Sequence, residues 1–359
     1  DRDAKRFIKK NGEVGDCDFC DARGVSVIWP RKLKEIFEEL LGMYRPYEEP
    51  SSSSDYWGGS TLAECLESWE IFSERLEEDD QNSLLDDIMG CDPRDGDISA
   101  SDDWESEDDH WSVTAPRHWW NYFAEHVKRF RRFIIEEDSS GEIMRPDQWI
   151  EEVITGDNAI RIITPNTKLY RGRIISRTEE GKYKMLPPSA MGAPPASQAR
   201  AGRANPEGIS MLYAAMDPET ATIETGRFPG AVACVREVRS RERLRLADFT
   251  KGLGGINPLS TSNLRVEVRN ATLRRDVSDA LAEPIHPNES PVEYVPTQYL
   301  AEAISAAGFD GICYRSALNP KGKNIVLFDP AKARVSRVGY VAKVTEATYK
   351  TVIARRGKV

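Results

Sequence analysis

The chain has 359 residues, enough for two domains and at least one sizeable core. Its formal net charge of −10 argues against non-specific nucleic-acid binding, because a phosphate backbone gathers Lys and Arg rather than a negative field. Apolar runs fall far short of a membrane span, no apolar leader opens the sequence, the six cysteines are scattered and the four histidines are few, so a cytoplasmic protein without membrane contact or a His-rich centre is expected.

The first thirty residues are rich in turn formers and carry Cys17-Asp18-Phe19-Cys20. Such a pair can place two thiolates on one zinc ion, but a tetrahedral site needs two more ligands, and the nearest cysteines, Cys65 and Cys91, stand alone. Cys17 and Cys20 are therefore either half of a zinc site or reduced structural thiols. Residues 31–41 space their apolar side chains as an amphipathic helix does, serines 51 to 54 break the pattern, and 61–76 predicts a second helix with Leu62, Cys65, Leu66, Trp69 and Phe72 along one face. Between Asp79 and Asp109 thirteen carboxylates stand against the single Arg94, a composition that predicts a solvated, mobile surface loop, rather than a metal-binding one, able to attract a basic partner. Residues 118–133 predict a third helix, aromatic on one face, with Lys128, Arg129, Arg131 and Arg132 at the end where the helix dipole favours cations. A basic aromatic helix can also touch RNA, but no acidic or histidine set for RNA cleavage accompanies it, and nucleic acid is not an expected partner. A short helix is expected at 146–150.

From residue 157 the composition shifts to short β-rich runs, at 169–175, 210–215, 231–238, 244–248, 311–314, 324–328 and 335–344, with helices expected at 218–227, 273–281 and 297–307. The predicted class is α+β: a mainly helical domain over 1–156, with the acidic loop, followed by a mixed β domain over 157–359. No G-x-G-x-x-G follows a strand, which removes the usual signature of a Rossmann domain.

The chemistry-bearing residues concentrate between Lys168 and Glu224. Arg171 and Arg203 offer planar forks suited to pyrophosphate oxygens; their plain alternative is surface ion pairing. Tyr213 offers a π face for a cationic ring, or is a core strand residue. Glu224, one helical turn after Thr220, can face the strand bearing Tyr213 and bind ribose hydroxyls, or is an exposed helix carboxylate. Ser316 can position a ribose or phosphate, or is a turn serine. His286, in the 283–287 loop, either borders the site or is solvated, and 319–324 either brings Lys321 and Lys323 to a phosphate or is a β-turn.

At Tyr170-Arg171-Gly172, 202–206, 212–215, 219–224 and Tyr314-Arg315-Ser316 the sequence resembles the RES domain family, over roughly 165–329. Residues 12–17 and Cys20 resemble the HEPN-type helical domain that accompanies some RES domains. The resemblance implies an ADP-ribosyltransferase-like fold in a toxin or phage-defence effector that consumes NAD. The family's arginines fall on Arg171 and Arg203, its tyrosine on Tyr213, its glutamate on Glu224 and its serine on Ser316. Arg171, Glu224 and Ser316 are then the catalytic set, and Arg171, Arg203, Tyr213 and Ser316 hold NAD, which is substrate rather than resident cofactor. Ala204 departs from the pattern, where an aromatic often follows the second arginine. Arg129 stands where a ribonuclease histidine would be sought, so RNA cleavage is not implied. The expected activity is cleavage of the nicotinamide–ribose bond of NAD, with ADP-ribose passed to water or phosphate. The alternatives are transfer of ADP-ribose to a protein and a catalytically silent module that binds a basic antitoxin; an antitoxin or regulatory partner and a homo-oligomer are expected.

Overall fold

The computed structural model describes residues 2–19, 22–47, 60–67, 71–72, 76–91, 97–106, 116–133, 153–154, 159–226, 228–251, 264–283 and 290–345. Cys20, Trp69, the 146–150 helix and His286 lie outside them. The chain is α+β. It forms two compact units: one of Asp1–Tyr122, Asp138–Ile143 and Gly252–Asp276, the other of Phe123–Glu137, Met144–Lys251 and Val277–Val359. No helix among the described residues is long and apolar enough to cross a membrane.

In the first unit, helix α1 (Arg2–Asn11) precedes the hairpin of β1 (Glu13–Gly15) and β2 (Val25–Val27), and α2 (Lys34–Leu41) leads to β3 (Tyr44–Pro46). Thr61 and Glu64 form a reciprocal capping box at the start of α3 (Leu62–Glu67), each side chain bonding the other's backbone N–H. The helix predicted over 61–76 ends at Glu67; Ile71 and Phe72 still pack on the core but are not helical.

The acidic segment differs most from expectation. Its first part is α4 (Glu78–Met89), with Leu85 and Ile88 fully buried and Gly90 ending it in the left-handed conformation. Glu78, Asp79 and Asp80 occupy the first turn, where the helix dipole favours negative charge, and Asp86 accepts bonds from the Ser99 hydroxyl and the Ala100 N–H. β4 (Trp104–Ser106) then pairs with β3. The described part of this run is thus folded structure, not a solvated loop; its carboxylates stand at the positive end of the helix dipole and brace a helix whose inner face joins Phe37, Leu40, Leu62 and Leu66 in one core. The predicted aromatic helix is α5 (Pro116–Arg129), with Trp120, Phe123 and Val127 buried along one stripe.

The second unit holds an eight-stranded sheet of β5 (Ile160–Ile163), β6 (Lys168–Ile174), β7 (Leu212–Ala215), β8 (Val232–Ser240), β9 (Leu244–Asp248), β10 (Gly311–Arg315), β11 (Lys323–Leu327) and β12 (Ala333–Lys343). Their order across the sheet is β12-β8-β6-β7-β11-β10-β9-β5, antiparallel throughout except between β9 and β10. Among the described residues its helices are the end of α5, α6 (Pro218–Thr225), the end of α7 (Leu264–Ala282) and α8 (Val295–Ala306). The β-rich runs read from the sequence fall on β6 to β12, whereas β5 was not foreseen because its four residues, Ile160 to Ile163, are too few to show a period.

One irregularity of the sheet creates the site. β6 pairs with β8 at seven positions, yet with β7 only at Tyr170↔Ala215. Past that pair the ladder stops, and a gap opens between 171–173 and 212–214.

Candidate active site

A cleft of about 300 Å³ occupies that gap, lined by Tyr170, Arg171 and Gly172 on β6, by Tyr213, Ala214 and Ala215 on β7, and by Gly202, Arg203, Glu224, Tyr294, Tyr314 and Asn324 among others. Arg171, Arg203, Tyr213 and Glu224 are therefore brought together from separate stretches of chain. Ser316 is not on the lining.

Arg171 replaces a missing rung. Its Nη1 donates to the Tyr213 carbonyl at 2.5 Å, across the gap the two strands leave open. Its Nε is buried without a partner, and no carboxylate pairs with it among the described residues. Burial, with Arg173 nearby, lowers its pKa to about 10. A guanidinium held out of water without a counterion is set to recognise an anion that arrives from outside.

The second arginine sits on a locked turn. The Tyr213 hydroxyl donates to Asn205 Oδ1 at 2.7 Å and accepts the Ala204 N–H at 3.1 Å. Asn205 Nδ2 donates to the carbonyls of Arg200, Pro206 and Ile209, and Gln298 Nε2, from α8, donates to those of Gly202 and Asn205, both at 2.9 Å. Gly202 is required by proximity: a Cβ there would lie 2.8 Å from the Tyr213 hydroxyl. Ala204 is buried in this turn. Arg203 extends from the turn, and its Nη1 donates to the Glu283 carbonyl. Burial raises the Tyr213 pKa to about 12, so its hydroxyl stays protonated and structural in a residue that also lines the cleft.

Glu224 reaches the cleft because α6 lies almost on β6. A Cβ at Gly172 would stand 2.2 Å from Thr225 Oγ1 and 2.7 Å from the Ala221 carbonyl, so only glycine admits this approach. Asp217 caps α6 by accepting the Thr220 N–H at 2.7 Å, with Pro218 at the first helical position. Glu224 Oε1 accepts the Ser316 hydroxyl at 2.6 Å and Asn324 Nδ2 at 2.8 Å; Oε2 receives no bond among the described residues. Ser316 Oγ in turn accepts the N–H groups of Leu318 and Asn319, which makes it both turn serine and support for Glu224. The 319–324 segment is the plain alternative foreseen, a β-turn between β10 and β11 closed by Gly322 N–H to the Asn319 carbonyl.

Asn324, Tyr294, Tyr314 and Gln298 were not singled out from the sequence. Asn324 is a polar residue entering the apolar strand Ile325-Val326-Leu327, which was its available signal. Tyr314 is buried, and burial drives its hydroxyl well above the usual phenol range. Among the described residues no three His, Cys, Asp or Glu side chains gather to hold a metal. Cys17 is a partly exposed free thiol, Cys65 packs on the core of the first unit, and the buried Cys313 is pushed up to about 12 by desolvation. No cysteine among the described residues lines the cleft.

A family model described as RES domain matches residues 173–349, which take in Arg203, Tyr213, Glu224 and Ser316 and begin two residues after Arg171. One described as HEPN/RES N-terminal domain 1 matches residues 10–141. No curated protein matches the chain. Among solved structures, the crystal structure of the M. tuberculosis MbcT-MbcA toxin-antitoxin complex is similar at 13% identity over 58% of this chain and 94% of that chain, with a TM-score of 0.31.

Proposed function

The chain belongs to the RES-domain family, with a HEPN/RES N-terminal domain ahead of its RES domain; from that premise we propose that it is an NAD-consuming toxin or defence effector that cleaves the nicotinamide–ribose bond and passes ADP-ribose to water or inorganic phosphate. The observation that carries this reading is the opposition, within one cleft, of a buried guanidinium that lacks a carboxylate and a carboxylate held by neutral donors. Arg171, with Arg203, suits the pyrophosphate. Glu224 suits the ribose, where positive charge grows as the C–N bond breaks and its electron pair leaves with nicotinamide. The tyrosine rings suit the cationic nicotinamide. The cleft, at the lower end of small-molecule sites, takes the reacting portion of a dinucleotide.

A protein that drains NAD must be restrained in the cell that makes it, so an antitoxin or regulatory partner follows from the same reading. The test is to incubate the purified chain with NAD, with and without phosphate. Release of nicotinamide with free ADP-ribose or its phosphate ester supports the proposal. Label retained on a protein redirects it to transfer, and unchanged NAD overturns it.

A further inference from the structure

Asn324, the second residue of β11, lies opposite Tyr314 on β10 and Ala215 on β7, so it stands where three strands meet the cleft. It is 9% exposed, and its Nδ2 donates to Glu224 Oε1 at 2.8 Å. The amide's orientation is dictated by the acid, since the flipped form would bring two acceptor oxygens together. The Ser316 hydroxyl donates to the same oxygen at 2.6 Å and is itself fixed by two backbone N–H groups. Both donors therefore converge on one oxygen of the carboxylate.

Two consequences follow. Turning the carboxylate plane away from these donors would sacrifice two hydrogen bonds, so they hold the plane, and with it the oxygen that receives no bond, in one direction. Both holders are also neutral. A Lys or Arg would grip the carboxylate as firmly, but its positive charge would offset the negative charge that a developing cation needs. Resting on the NAD-cleaving reading above, we infer that Asn324 is a positioning residue for that reaction: it acts through Glu224, fixing the orientation of the carboxylate toward the ribose while leaving its charge intact.

The experiment measures nicotinamide release against NAD concentration for wild type, Asn324→Asp and Asn324→Ala, with thermal melting of each. Asn324→Asp keeps the shape and removes the donor; Asn324→Ala removes the amide without adding charge. The expected result is a loss of roughly 10- to 100-fold in kcat with KM for NAD within about threefold, the pattern of an interaction made in the transition state. A folded pair of variants with kcat within about threefold of wild type overturns the inference. So does a rise in KM at unchanged kcat, which would make Asn324 a ligand contact, or loss of folding in both variants, which would make it structural. Wild type that releases no nicotinamide defeats the NAD-cleaving reading and this inference with it, an outcome distinct from the others.

Discussion

The outer edge of the eight-stranded sheet and its middle each hold a largely buried arginine, and the two are treated oppositely. At the edge, β5 and β9 pair along four residues, and Arg161 Nη2 lies 2.8 Å from Asp248 Oδ2, whose side chain is fully buried. That contact is close but poorly directed, an ion pair rather than a hydrogen bond. In the middle, β6 and β7 share one pair, and Arg171 finds a carbonyl instead of a carboxylate. At the β5–β9 edge the charge is met by a carboxylate; at the break between β6 and β7 it is left facing a cavity, where an arriving anion would offset the cost of burying it.

The largest expected effect sharpens the contrast from the cleft's other wall. Glu224→Gln keeps an acceptor for Ser316 and Asn324 but removes the charge, so nicotinamide release should fall on the order of a hundred- to a thousandfold with the fold and much of the NAD affinity retained. A folded variant within about tenfold of wild-type turnover would remove Glu224 from the mechanism. Circular dichroism and calorimetry establish folding and binding in the same preparation.

Asp248→Asn tests the edge. It leaves Arg161 without its counter-charge and should cost about 3 kcal/mol of stability, read as a lower urea midpoint, because removing one partner strands the other. Ligand binding in the folded protein should be unchanged. A variant as stable as wild type would mean that Arg161 is served by solvent, and the two arginines would no longer differ in kind.

Arg171→Met should do the reverse, stabilising the fold by roughly 1–3 kcal/mol while ADP-ribose binding, followed by calorimetry, is lost. Arg171→Lys should keep the charge but weaken binding by about 1–3 kcal/mol, since the fork is gone. The pH dependence has a definite sign. With its folded pKa lowered to about 10 from the usual 12.5, Arg171 binds fewer protons in the native than in the unfolded chain between those values. Wild-type stability should therefore gain on Arg171→Met as pH rises from about 10 toward 12.5, with the full burial cost present below that range. A constant difference between the two proteins across the range would show that burial does not perturb Arg171.

The sequence made much of the second unit readable, for a physical reason. Most of β6 to β12 are short runs with β-branched or aromatic residues bounded by turn formers, and β8, β10 and β11, buried on both faces, read as nearly continuous apolar runs. The first unit was harder. In α4 the carboxylates outnumber the apolar residues, so composition pointed to a solvated loop, while the helix needed only Leu85 and Ile88 on the inside. At the site, Arg171, Arg203, Tyr213, Glu224 and Ser316 could be singled out because charge, aromatic rings and hydroxyls announce chemistry. What could not be read was which of them share a surface. Ser316 touches Glu224 instead of the cleft, and Asn324 and Gln298 act through atoms brought from about a hundred residues away. The stop in the β6–β7 ladder, on which the cleft depends, has no local sequence signal, because nothing in 168–174 or 212–215 says where their pairing ends.

The smallest expected effect asks whether the broken ladder or the short helix above it sets the position of Glu224. Asp217 accepts the Thr220 N–H through Oδ1 and the Thr220 hydroxyl through Oδ2, and Asn319 Nδ2 bonds that same hydroxyl oxygen, so the cap ties α6 to the turn that carries Ser316. Asp217→Ala should cost about 1 kcal/mol, the usual value of an N-cap. In a unit of this size that lowers Tm by roughly 2–4 °C, measurable by differential scanning calorimetry. Turnover should fall less than about tenfold, because the carboxylate is held at its far end by Ser316 and Asn324 and at its backbone by the close packing of α6 on Gly172. A hundredfold loss at a temperature where the variant is folded would reverse that order. The helix cap would then be what aims Glu224, and the clamp on Oε1 would follow the helix instead of fixing the acid independently of it.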